Sequence, residues 1–137
     1  MRILSILCLC SMVWLAGCSN GVIAPASRPM MTGTVSYRER IALPSSAVLT
    51  VRLLDITKEE GSEVVLAERS ISNPGNPPME FSLPYPFGGI VPGRKYVIEA
   101  RIEVEGRLRF FSAEPHVVTP TNAAHPHEIL VAIAREN

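Results

Sequence analysis

The chain has 137 residues, with 13 basic and 13 acidic side chains and no net charge. It contains no block of Lys and Arg, so it lacks the electrostatic footprint that nucleic-acid binding requires. Charged residues make up 19% of it and apolar residues 47%, which excludes a disordered acidic tail and suffices for one folded core.

Arg2 precedes a nearly unbroken apolar run, Ile3 to Trp14, which closes on Leu15-Ala16-Gly17-Cys18. A cationic start, a short apolar core and small residues before a cut make a secretory signal. The run falls short of the roughly 20 apolar residues that span a bilayer. The cysteine directly after Ala16-Gly17 distinguishes lipoprotein processing from ordinary cleavage. Its thiol is the soft nucleophile that takes up a diacylglycerol group before the peptide is cut. Residues 1–17 therefore read as a lipoprotein signal peptide and Cys18 as the lipidated residue; a plain signal peptide with an incidental cysteine is the alternative. Two or three acyl chains, at about 0.8 kcal/mol per buried methylene, hold firmly where one holds marginally. Ser19 follows Cys18 where Asp would signal inner-membrane retention, so the expected location is the outer membrane, on its periplasmic face.

Removing the 17 residues before Cys18 leaves 120, enough for one domain. Cys8 and Cys10 leave with the signal and Cys18 is acylated, so the mature domain has neither a free thiol nor a disulfide. Its fold must stand on its core alone. Apart from the covalent lipid on Cys18, no cofactor is expected.

Residues 18–30 hold Gly, Ala, Ser, Pro and one charge, without periodicity, and read as a flexible tether. From Thr32 the period becomes two. Val35 and Tyr37 alternate with polar neighbours in Thr34–Arg38, as do Leu49, Val51 and Leu53 in Val48–Asp55, and Met79, Phe81 and Leu83 further on. In Val97–Glu105, Ile98, Ala100, Ile102 and Val104 alternate with Glu99, Arg101, Glu103 and Glu105. Such alternation predicts strands with one buried and one wet face. Val64–Ile71, Leu108–Phe111 and Ile129–Ile133 are further strand candidates. Glu105-Gly106 fits a two-residue hairpin. Val91-Pro92-Gly93-Arg94 fits a type II turn, and Lys58–Ser62 a charged loop. Prolines crowd Asn73–Pro78 and Leu83–Pro92, as they do at sheet edges and corners. Residues 31–137 are thus predicted to form an all-β domain, an antiparallel β-sandwich of seven or eight strands, with a small barrel as the alternative.

The run Gly33-Thr34-Val35, then Tyr37-Arg38-Glu39-Arg40-Ile41-Ala42-Leu43-Pro44 and Ala47–Asp55, resembles the YbaY/YscW family of lipoproteins. Pro84-Tyr85 and Tyr96–Ile102 are similar too, and the likeness covers about Met31 to Ile133. One departure is Ser45-Ser46, where relatives often carry Pro or Asp. The resemblance implies a β-sandwich on a lipid anchor. Its best-understood branch comprises secretion pilotins, which chaperone an outer-membrane secretin subunit, and it brings no catalytic residues.

Chemistry is thinly represented. His125-Pro126-His127 would set two imidazoles on one face of an extended segment, and a closed metal site would need His116 or Glu128 to join; a solvated loop is the plainer reading, and no metal is expected. There is no Gly-x-Ser-x-Gly elbow, Asp55 is the one aspartate, and Glu59, Glu60 and Glu63 sit together in a loop. No catalytic residue is assigned. Arg38 and Arg40 are either surface charge protecting a sheet edge or the polar rim of an apolar partner groove. Tyr85 and Phe87 either plug one end of the sandwich or form an exposed platform, and Gly88-Gly89, read as tight packing, favours the plug. These four are the candidate partner-binding residues. The expected function is a non-enzymatic envelope lipoprotein binding another protein or peptide in an assembly or chaperone role. A carrier of a ligand or carbohydrate, with an aromatic-lined pocket, is the alternative.

Overall fold

The computed structural model describes residues 28–135. The signal, Cys18 and the tether as far as residue 27 lie outside the described residues. Nine strands and no helix are found among the described residues. Strands form where the alternation is strict. β1 (Met30–Ser36) turns Met31, Gly33 and Val35 inward; β2 (Ala47–Asp55) turns in Leu49, Val51 and Leu53; β4 (Met79–Pro84) turns in Met79, Phe81 and Leu83. β5 (Tyr96–Val104) contributes Ile98, Ala100 and Ile102. Each large apolar side chain fully buried here contributes about 1.5–3 kcal/mol. β3 (Val64–Ser72), β6 (Arg107–Phe111), β7 (His116–Val118), β8 (His127–Leu130) and β9 (Ala132–Ile133) complete the set.

The strands make two sheets. The smaller has the order β4-β1-β8; the larger runs β3-β2-β5-β6-β9, and β7 also pairs with β5. β6 and β7 share the second edge of β5, with Ser112 between them. Its backbone N–H donates to the Ala100 carbonyl at 2.9 Å, and its hydroxyl accepts from the Ala100 N–H at 2.8 Å, so the ladder continues where the strand stops. On the outer face of the large sheet, Arg52 pairs across strands with Glu99, a partly solvated contact of the kind that contributes little.

Two expectations need correction. The predicted strand Ile129–Ile133 is two strands in different sheets. Val131 marks the crossing: its N–H donates to Ser36 O at 2.9 Å, and three residues on the Ala134 N–H donates to Arg109 O at 2.8 Å. That segment closes one side of the sandwich, while the side where β3 and β4 lie stays open. The sheets are also not wholly antiparallel, since β8 runs parallel to β1, Gly33 opposite His127. Alternation reports faces, not partners. The hairpin at Glu105-Gly106 is as expected, with φ of 52° and 77°, both left-handed as a type I′ turn demands. Gly93 has φ 83°, as the third residue of a type II turn requires.

Gly33 sits between Phe81 of β4 and His127 of β8, its register partners on either side in the small sheet. A Cβ there would fall within 2.7 Å of the Phe81 ring and closer still to the His127 carbonyl oxygen. Hydrogen alone fits, which accounts for glycine in the Gly33-Thr34-Val35 run.

Candidate partner-binding groove

Strand registers define two ends. Met30 lies opposite Pro84, and the Tyr85 N–H donates to Pro29 O at 3.1 Å, so the tether enters beside the β4–β5 connection. Ser36 lies at the other end of β1, and the chain there continues into the loop Tyr37–Ser46.

Tyr37 organises this far loop. Its ring stacks on Phe110 with centroids 4.5 Å apart and planes 18° from parallel, and both are almost fully buried. Its hydroxyl donates to Ile41 O at 2.6 Å, pinning the loop four residues on. A net contribution of about 0.5–1.5 kcal/mol is usual for such a bond. Burial, and then the nearby Glu39 charge, raises the Tyr37 pKa above 10.0, so the phenol keeps its proton and remains a donor.

Between that loop and the large sheet lies a groove of about 310 Å³, lined by Ile41, Ala42, Leu43, Pro44, Val104, Arg109, Phe110, Ile133 and Ala134. Its walls are apolar, and Ile41 and Ile133 remain 53% and 47% exposed. Arg109 is aimed there by a β-bulge: Ile102 pairs with Phe110 and Glu103 with Leu108, leaving Arg109 as the extra residue. Across Ile41 and Ala42 the groove adjoins a shallower cleft lined by Tyr37, Arg38, Glu39, Arg40, Asn76 and Pro77. Arg38 and Arg40 are exposed and Glu39 is turned in, its Oε2 buried without a hydrogen-bond partner. Arg38 and Arg40 follow β1 rather than lying in it, so they guard no strand edge there. Among the described residues no carboxylate forms an ion pair with Arg38, Arg40 or Arg109. The result is an apolar trough with cationic margins.

Tyr85 and Phe87 are at the tether end, so the four candidate residues do not form one surface. Tyr85 is half-buried against the core, whereas Phe87 is 89% exposed. The expected plug is therefore wrong for Phe87. Gly88 and Gly89 have φ of 85° and 73° and nothing within 4 Å of an added Cβ; they make a turn possible and pack against nothing.

The histidines also separate. His125 belongs to the turn ahead of β8 and is exposed, so strand alternation does not reach it; Glu128 is exposed as well. His127 points inward and meets His116 of β7, Nδ1 to Nε2 at 2.9 Å, with the rings 86° apart. The other nitrogen of His127 faces Ala123 O at 3.4 Å. One tautomer set satisfies both contacts: His127 donates to the carbonyl and His116 donates to His127, both neutral. Burial lowers both pKa values below 6.5. The pair bridges the two sheets. Among the described residues no three His, Cys, Asp or Glu side chains are grouped to hold a metal.

Asp55 is a buried joint at the tether end. It accepts from the Thr57 hydroxyl and N–H and from Arg94 at 2.9 Å, and the Thr57 hydroxyl is the main cause of its lowered pKa. A wider, open cleft of about 740 Å³ lies along the β3–β4 side, among Thr32, Thr34, Ser70, Ser82, Arg69 and Glu80. Its one aromatic, Phe81, is itself buried.

Sequence reasoning reached Arg38 and Arg40 but missed the groove's other wall. Phe110, Arg109 and Ile133 come from distant segments, and only the doubled aromatic Phe110-Phe111 hints at one ring facing in.

A family model described as type III secretion system lipoprotein chaperone (YscW) matches residues 26–131. The chain is similar to the uncharacterized lipoprotein YbaY of Escherichia coli K12, with 33% identity over 86 residues. That match takes in 62% of this chain and 45% of the relative, so it spans less than half of the relative's length. Among solved structures the chain is similar to an alternative pilotin from the type II secretion system of Vibrio cholerae. There the identity is 35% and the TM-score 0.72, over 80% of this chain and 100% of that one.

Proposed function

The chain belongs to the YscW family of type III secretion system lipoprotein chaperones, and from that premise we propose that it is a pilotin-like lipoprotein holding a segment of a secretion-system protein in the groove under Ile41–Pro44. The family is one of chaperones and not a class of enzymes. The observation that carries the reading is the groove itself, apolar along Ile41, Leu43, Phe110 and Ile133 and edged by Arg38, Arg40 and Arg109. A peptide with apolar residues on one side and carboxylates at its margins complements it: burial supplies affinity, and the guanidinium groups supply register and steering. Lipid on Cys18 would hold the complex at the outer membrane, on the periplasmic side.

Photo-crosslinkers at Ile41 and Ile133 in cells should capture one defined envelope protein, and the double change Arg38→Glu, Arg40→Glu should weaken capture about tenfold or more. Capture from Glu68, on the exposed side of β3, serves as the control. The same bands from Glu68 as from the groove would overturn the reading. The carbohydrate-carrier alternative has less support, because the wide cleft along β3 and β4 presents hydroxyls and no open aromatic face.

A further inference from the structure

The tether end carries a feature the groove does not use. Phe87 is 89% exposed, and the next most exposed large apolar side chain among the described residues, Val117, is 54% exposed. Phe87 is held there. The Gly89 N–H donates to Pro86 O at 3.0 Å, closing a turn with Phe87 at its second position and left-handed Gly88 at its third. The tip lines none of the three cavities described above. The Arg28 guanidinium lies 4.3 Å from the ring centroid. Val91, 37% exposed, follows in the same connection. Arg94 and Lys95 are solvent-exposed at its end, Arg94 also pairing with Asp55. The other carboxylates of this end, Glu59, Glu60 and Glu63, belong to the separate β2–β3 loop.

The position of the chain's root identifies the occupant. Ten residues, Ser19 to Arg28, separate Cys18 from Pro29, the residue whose carbonyl is bonded to Tyr85. A flexible chain of that length would span roughly 16–19 Å, which would put a bilayer holding lipid on Cys18 within reach of this turn. Aromatic rings are favoured at the boundary between headgroups and acyl chains, and cations beside them are drawn to anionic headgroups. A convex tip with one large ring also suits a deformable phase better than a preformed protein pocket.

We propose that the Pro86–Pro92 turn is a second membrane contact, which dips Phe87 into an anionic phospholipid surface while Arg28, Arg94 and Lys95 engage the headgroups. The contact orients the body so that the groove at the opposite end faces away from the lipid. It rests on the reading of Cys18 as the lipidated residue.

The chain's one tryptophan, Trp14, precedes Cys18, so a Phe87→Trp variant of the mature lipidated protein carries a single reporter. It is reconstituted into phosphatidylcholine–phosphatidylglycerol vesicles with and without brominated acyl chains, and recovery is checked by flotation. The expected result is blue-shifted emission and about twofold quenching by the brominated lipid, the signature of a ring at the interface. Adding Arg28→Glu and Lys95→Glu should reduce the quenching, and Leu108→Trp, at the far end, should be unquenched. Flotation with an unshifted, unquenched indole at position 87 overturns the second contact and leaves the anchor intact. Equal quenching at positions 87 and 108 also overturns it, as does a blue shift that appears only when envelope protein is added. Failure to float removes the lipidated cysteine, and this proposal with it.

Discussion

The two ends of the sandwich use similar material in opposite ways. Each has a proline-containing loop with aromatic side chains and arginines close by. At the far end the rings of Tyr37 and Phe110 are stacked inward, and the tyrosine hydroxyl holds the loop over a concave trough. At the tether end Tyr85 packs inward, but Phe87 is carried out on a glycine turn, and an arginine lies on its exposed ring. The difference is one of backbone: a strand continues its alternation into Tyr37, whereas a left-handed turn breaks it just after Phe87. Concave and convex surfaces thus arise from nearly the same composition.

Both ends belong to one folded body, so the largest expected effect is the one that removes it. Gly33→Val forces a branched side chain against Phe81 and the His127 backbone, and should cost more than about 4 kcal/mol or prevent folding, read by urea unfolding. Next, Phe110→Ala should cost about 3–5 kcal/mol and empty the floor of the groove, with partner capture lost as well. Acid acts on the seam between the sheets. His116 and His127 titrate below 6.5 when folded and near 6.5 when unfolded, so the unfolded chain takes up protons first as pH falls. Stability from the pair is complete above that range and is lost as pH drops through and below 6.5. Melting temperature should fall accordingly, and His116→Gln with His127→Gln should flatten the profile between pH 7 and 5. Asp55, whose pKa lies below 3.8, adds its own loss only at lower pH. Smallest of all, Phe87→Ser should change unfolding stability by less than about 0.5 kcal/mol, which would set the displayed ring apart from the buried one. A loss comparable to that of Phe110→Ala would erase the contrast.

Much of the body was legible in the residues. β2, β4 and β5 fall within a residue or two of the alternating runs, because a sheet packed on one face writes its period into the chain. β7 and β9, of three and two residues, are too short to have a period. The parallel β1–β8 pair depends on which strands meet, which no local pattern encodes. The far loop stood out as the Tyr37–Pro44 run, but its concavity needs Val104, Phe110 and Ile133, which only tertiary packing brings up. The histidine segment was legible in part: His125 is exposed in a turn, as the solvated-loop reading has it, whereas the burial of His127 against His116 depends on strand topology.

The pairing of Gly33 with His127 also bears on how the domain is made. The strand that seals the small sheet, and the two residues that then cross to seal the large one, are the last strands of this domain in chain order. Without β8, β1 lacks a neighbour on one side, and contacts between strands far apart in sequence slow folding. Closure of the domain therefore waits on residues about a hundred positions apart in sequence.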